Sequence, residues 1–336
     1  MHRASQPTHQ SASQPTDPGS RHAGPDTIVV GIDGTEDGLR AVDYAADEAC
    51  VSGSRLLLMH VLLTAPGRMS ISTSAQEAVR RAAARAVEMA RARAELAGVP
   101  SDRVDVHVTS GPVTGSLLAA TKTAGLMVLG RRGISGLDRL FAGSTSSSVA
   151  ARAACPVVVV PHAWSAGATR GVVAVGVDGS ARSMPALTRA VAEAHVRAAS
   201  LTVVHAWEPP SPYYVDMAEI QDMIDAWRDR AERGVSEQLA SLTGNHPGLM
   251  IDREYVSRHP IEALVAQSAE SDLLVIGTRG GGGIKGLALG SVARAVVAGS
   301  SCPVMLVRRG RATADSVRDS RGNPRAARPA TATSTV

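Results

Sequence analysis

Aromatic side chains are almost missing from this chain: one Phe, three Trp and four Tyr in 336 residues. A protein that grips unpaired bases stacks them on such rings. One that grips the backbone presents a broad basic face, and the formal net charge here is only +4. Nucleic acid is therefore not the expected partner. Cysteine is equally scarce. Cys50, Cys155 and Cys302 form no CxxC pair and no Cys/His ligand spacing, so neither a disulfide framework nor a zinc site is expected. Cys155 and Cys302 each precede a proline and an apolar strand, and read as buried small hydrophobes in a reducing compartment. No apolar run approaches the roughly 18 residues of a membrane span. The N-terminus lacks the apolar core of a secretion signal. The expectation is a cytoplasmic protein with no membrane partner.

What remains for a core is Val, Leu, Ile and Ala, a mixture that suits parallel strands covered by Ala-rich helices. The length suits two domains. Residues 1–25 and 310–336 are Ser, Thr, Pro, Arg and Ala without period and are expected to be disordered tails. Between them the sequence repeats. "TIVVGIDGT" at 27–35 returns as "GVVAVGVDGS" at 171–180, "LMVLGRRG" as "LLVIGTRG", and "CPVVVV" as "CPVMLV". Asp178 follows Asp33 by 145 residues, and Cys302 follows Cys155 by 147. A near-constant offset of that size marks a duplicated domain rather than a solenoid. The expected division is a domain at 26–161, a linker at 162–169 and a second domain at 170–309.

Each half alternates strands and helices. In the first, strands are expected at 28–32, 55–63, 104–109, 126–129 and 157–160. Helices are expected at about 36–52, 73–98, 112–124 and 144–153. The first helix has Leu39, Val42, Ala45, Ala46 and Ala49 at helical spacing and Gly53 at its end. The second half repeats every element. Two tandem doubly wound α/β units, each with a five-stranded parallel sheet, follow. Such sheets bind ligands beyond the carboxyl ends of their strands, where strand order reverses. Asp33 or Asp178, after the first strand, should meet there a glycine loop that follows the fourth.

That loop has one spacing in both halves. Gly130, Gly133, Gly143 and Ser144 match Gly277, Gly280, Gly290 and Ser291. Glycine removes the Cβ that blocks approach to backbone N–H groups. A helix starting at Ser144 or Ser291 adds unpaired N–H groups and the positive end of its dipole. A phosphate chain is the ligand this suits. Two decoys fail. Gly281, Gly283 and Gly286 spell GxGxxG, but after the fourth strand rather than the first, and no Gly-Lys-Ser/Thr P-loop occurs.

With G-x2-G-x9-G-[ST] after the fourth strand of both halves, each paired with a first strand that ends G-[IV]-D-G-[TS], the chain resembles the universal stress protein family. It is similar to that family's tandem two-domain, ATP-binding form, over 26–161 and 170–309. The resemblance implies a Rossmann-like fold and ATP as ligand, with Mg2+ as an accompanying ion. It implies cofactor contacts from Gly31, Asp33, Val61, Leu129, Gly130, Gly133, Gly143, Ser144 and Thr145 in the first half. In the second half the counterparts are Gly176, Asp178, Ala206, Ile276, Gly277, Gly280, Gly290, Ser291 and Val292. It also implies that the last strands meet antiparallel, making one chain its own dimer, with a homodimer of chains as a further assembly. Two departures stand out: Gly125 where the second half has Asp272, and Ala206 where the first has Val61.

For catalysis, Arg132 and Arg279 reach toward phosphates in principle, and Ser144 and Ser291 are the candidate phosphoryl acceptors. His60 and His205 are expected to pack or bond locally. No Ser/His/Asp or Cys/His set stands out, so a nucleotide-responsive stress or signalling module is the expected function. Slow ATP hydrolysis or autophosphorylation is the alternative. Four consecutive glycines at 280–283, costly to order, and the smaller Ala206 make the first site the expected tighter one.

Overall fold

The computed structural model describes residues 24–62, 72–131, 144–167, 169–208, 217–244, 246–280 and 289–309. Gly133, Gly143 and nearly all of both tails lie outside them.

The first half comprises β1 (Thr27–Ile32), α1 (Glu36–Ser52), β2 (Arg55–Leu62), α2 (Thr73–Leu96), β3 (Val104–Ser110), α3 (Val113–Ala120), β4 (Leu126–Gly130), α4 (Ser144–Arg152) and β5 (Val157–Val160). The second comprises β6 (Val172–Val177), α5 (Met184–Val196), β7 (Ser200–Trp207), α6 (Met217–Thr243), β8 (Ile251–Ser257), α7 (Pro260–Ala269), β9 (Leu273–Gly277), α8 (Ser291–Gly299) and β10 (Val304–Val307). Local chemistry sets the ends. Thr35 caps α1 by accepting from the Gly38 N–H, and Gly53 stops it at φ 71°, where a side chain would be strained. α3 ends four residues before the expected 124. There the Thr121 hydroxyl donates to the Leu118 carbonyl, and the N–H groups of Lys122 and Thr123 reach back three residues, tightening the turn. Pro185 sits in the first turn of α5, which starts three residues later than α1 does in the repeat.

All ten strands form one sheet in the order β3-β2-β1-β4-β5-β10-β9-β6-β7-β8. Within each half every pairing is parallel. The halves join where β5 and β10 pair antiparallel, with Met305 opposite Val158. Two apolar edges thereby cover one another instead of facing solvent. Side chains alternate faces: Ile28, Val30, Leu56 and Leu58 belong to the layer that includes α1, α2, α5 and α6, while Val29, Leu57, Met127 and Val159 belong to the layer that includes α3, α4, α7 and α8. Both clusters contain residues of both halves, so each hydrophobic layer runs unbroken across the junction. Fully burying one such Val or Leu stabilises by about 1.5–3 kcal/mol.

Polar contacts reinforce the seam. On one face Arg197, after α5, bonds the Tyr44 hydroxyl at 3.0 Å, Glu193 at 3.2 Å and Glu48 of α1. Burial, with Glu193 nearby, pushes the Glu48 carboxyl up to about 7 against the pull of Arg197. On the other face Arg131 donates to the carbonyls of Val297 and Ser300 at the end of α8, and Arg308 donates to that of Arg152 at the end of α4. Each arginine satisfies carbonyls that a helix end leaves unpaired.

The departure at Gly125 has a steric cause. A Cβ there would lie 2.0 Å from the Pro25 carbonyl oxygen. In the second half Asp272 fills the equivalent place and accepts from the N–H groups of Arg170 (2.7 Å) and Val172 (3.1 Å) and from the Thr169 hydroxyl (3.0 Å). Among the described residues no helix is long and apolar enough to cross a membrane.

Candidate functional site

Strand order reverses between β1 and β4, and again between β6 and β9. Crevices beyond these carboxyl ends are where open α/β sheets hold ligands. At the first, a cleft of about 1110 Å3 opens, lined from all sides by the first half. Gly31, Asp33, Val61, Leu129, Gly130 and Thr145 all line it. Ser144 begins α4 beside Thr145.

The cleft has two kinds of wall. Met59 and Val61 at the end of β2, Val113 and Leu117 of α3, and Val79 and Met89 of α2 form an apolar side. Met89 and Val79 are 53% and 49% exposed, so this side of the cleft offers accessible apolar surface. The rest of the lining includes Asp33, Gly130, Thr145 and the start of α1. There Asp33 folds its own turn: its carboxylate accepts from the Thr35 N–H at 3.1 Å and the Thr35 hydroxyl at 2.6 Å. Gly130 is glycine because a Cβ would meet the Asp37 carbonyl oxygen at 2.2 Å. The same applies to Gly31, whose Cβ would lie 2.6 Å from the Leu129 side chain. Close packing thus explains these two glycines at least as directly as ligand approach does.

The second half builds the same constellation from its own residues. Gly176 leaves room for Leu264 and Ile276, whose side chains a Cβ would meet at 2.8 and 3.2 Å. Asp178 accepts from the Ser180 N–H at 3.0 Å and hydroxyl at 2.7 Å. Beyond Gly277 the chain passes over that turn. A Cβ on Gly280 would sit 3.3 Å from the Asp178 carboxylate, and Arg182 donates to the Gly280 carbonyl at 3.2 Å. Gly290 is the residue before α8; its N–H bonds the Thr278 carbonyl at 2.9 Å, which fixes the helix start. Ser291 is exposed there, and the first-turn N–H groups of α8 have no partner within the helix. Val292 and Ala206 pack on one apolar cluster.

His60 and His205 occupy equivalent places, with Nδ1 at 3.0 Å from the Ile32 carbonyl and 3.1 Å from that of Val177. A carbonyl accepts, so that nitrogen carries the proton. Burial holds the His205 pKa below the ordinary histidine value. These rings fix the ends of β1 and β6. Arg131 points away from the cleft to α8, and among the described residues no three His, Cys, Asp or Glu side chains gather as a metal site. Two features escaped sequence reasoning. One is the α2 wall. The other is the pair Asp37 and Arg182, visible only once the halves are overlaid at the offset of 145 residues.

The family model described as the universal stress protein family matches residues 25–161 and again 170–308. A universal stress protein of Mycolicibacterium smegmatis is 31% identical over 294 residues, covering 84% of this chain and 96% of the relative. One of Mycobacterium tuberculosis is 31% identical over 292 residues, again 84% and 96%. Among solved structures, a universal stress protein from Archaeoglobus fulgidus overlays with a TM-score of 0.63 at 19% identity, covering 85% of this chain and 97% of that one.

Proposed function

The chain belongs to the universal stress protein family, with two such domains in tandem, and on that premise we propose that it binds adenine nucleotides, ATP foremost, at one site per domain. It acts as a nucleotide-responsive stress or signalling module of the cytoplasm, its two domains (26–161 and 170–309) serving as each other's dimer partner through β5 and β10.

One observation carries this reading. Six of the residues singled out for the first site line a single cleft, at the topological switch point, whose lining includes both apolar side chains and a helix start. A nucleotide has that polarity. Its base would lie against Met59, Val61 and the α2 wall. Its ribose would lie by Asp33, and its phosphates at Gly130 and the first turn of α4. The second domain offers Ala206, Asp178, Gly277 and the start of α8 in the same roles. A divalent ion would be held chiefly by the phosphates. Binding, not turnover, is the proposed activity, and any hydrolysis should be slow against a typical enzyme's roughly 10 s−1.

The test is calorimetric titration of ATP into the intact chain and into a Gly143→Val/Gly290→Val double variant. Binding to the first and none to the second is expected, with melting curves showing that the variant is folded. Filling the apolar side by Val61→Trp should remove the first site alone. Undiminished ATP binding in the double variant would overturn the assignment.

A further inference from the structure

The two sites differ in charge at one place. α1 opens with two acids, Glu36 and Asp37, and Asp37 lines the first cleft. α5 has no acid in its first turn. At the position of Asp37 stands Arg182, whose guanidinium bonds the carbonyl of Gly280 in the glycine loop itself. Asp37 is engaged: Arg40 lies at 2.6 Å from its carboxylate and His162 at 2.7 Å. The start of α1 thus carries two acids, met by Arg40 and Arg93, where that of α5 carries a base. The counterpart of Arg40 is Pro185, which brings no charge.

The loops themselves do not restore the balance. By sequence each carries two net positive charges, from Arg131, Arg132 and Arg139 against Asp138 in the first and Arg279 with Lys285 in the second. Arg131 donates to the carbonyls of Val297 and Ser300, which leaves its charge in place. The first site therefore has less positive charge at one place, the start of α1.

Resting on the nucleotide-binding reading above, we propose that the two sites discriminate by ligand charge. The second favours di- and triphosphates, the first accepts a monophosphate nearly as well, and Asp37 and Arg182 are the residues that set the difference. Glycine ordering and Ala206 weaken the second site for every adenine nucleotide alike; Arg182 acts only through phosphate charge. The two effects are separable by comparing ligands that share a base and differ in phosphate number.

The experiment titrates AMP and ATP, without divalent ion, into the Gly290→Val variant to read the first site and the Gly143→Val variant to read the second. The ratio Kd(AMP)/Kd(ATP) is the readout. It should be about tenfold or more larger at the second site, the order expected for a unit charge several ångströms from two additional phosphate charges. Asp37→Asn, which keeps the shape and acceptor oxygen, should raise the ratio at the first site. Arg182→Gln, which keeps a donor for Gly280, should lower it at the second. Both differences should shrink on adding salt, because exposed charges are screened. If either variant melts early, the ratios of the two parent sites still decide. Equal ratios at the two sites, or ratios indifferent to both substitutions and to salt, overturn the proposal while leaving nucleotide binding intact. No binding of either nucleotide at either site overturns the function itself.

Discussion

The two halves of this chain fold alike and meet their ligand edges differently. Strand order, the turn held by Asp33 or Asp178, the histidine against the first strand's last carbonyl and the helix after the glycine loop are common to both. What differs at that edge is Asp37 against Arg182 and an arginine at 131 against a buried threonine at 278; at the opposite edge Gly125 stands against Asp272. Interior geometry is fixed by close packing, since a Cβ at Gly31 or Gly176 would strike leucine side chains. Rim residues answer only to solvent, to neighbours and to whatever binds. A duplicated domain is thus free to keep one scaffold and give its two sites different tastes.

The largest effect expected is at the seam. Met305, fully buried opposite Val158, holds both halves. Met305→Ala should cost about 2–5 kcal/mol. Because the two cores are continuous, urea should still unfold the protein in one transition at a lower midpoint. Two separate transitions, only one of them shifted, would show that the halves are independent after all.

Glu48, at the α1–α5 contact, makes the seam sensitive to pH. Its carboxyl rises from 4.5 to about 7 on folding, so the native state holds the proton more tightly than the unfolded chain. That contribution is fully present below about pH 4.5 and is lost as pH rises through 7. Glu48→Gln should abolish this slope, a relative gain of order 1–3 kcal/mol at pH 8 that disappears at pH 4. Parallel melting-temperature profiles for the two proteins would contradict it.

The halves should also part at equivalent glycines. Gly130→Ala forces a methyl against the Asp37 carbonyl and should cost about 1–3 kcal/mol. Gly277→Ala meets its nearest atom, the Arg279 carbonyl oxygen, at 3.3 Å, and should cost less. Equal thermal shifts would show that the tight approach at Gly130 relaxes freely. Smallest is the strand entry. Asp272→Ala removes three hydrogen bonds and should cost about 1–2 kcal/mol, readable as a melting shift.

Much of this was legible in the sequence because a parallel sheet writes itself in apolar runs and a duplication writes everything twice. The end of β1, the span of β5 and the stop at Gly53 follow from residue chemistry alone. Bringing Asp33 and Gly130 to one cleft needed only the rule about switch points, whereas Val61 followed from the family resemblance. Other features depend on contacts between distant residues and carry no local signal. Arg131 counted in the sequence only as a charge of the glycine loop, yet it reaches residues 297 and 300. Tyr44 and Glu48 sit in an ordinary amphipathic helix until α5 packs on it. The face that α2 turns to the cleft is likewise unmarked, because Val79 and Met89 in an Ala/Arg helix read as scattered apolar residues.

The central claim is two adenine-nucleotide sites on one continuous sheet, and stoichiometry tests it most directly. Equilibrium dialysis of the intact chain against labelled ATP with Mg2+, carried to saturation, should give two nucleotides per chain, falling to one in Gly143→Val or Gly290→Val. A plateau at zero, or at one per chain abolished by a single substitution, would contradict it.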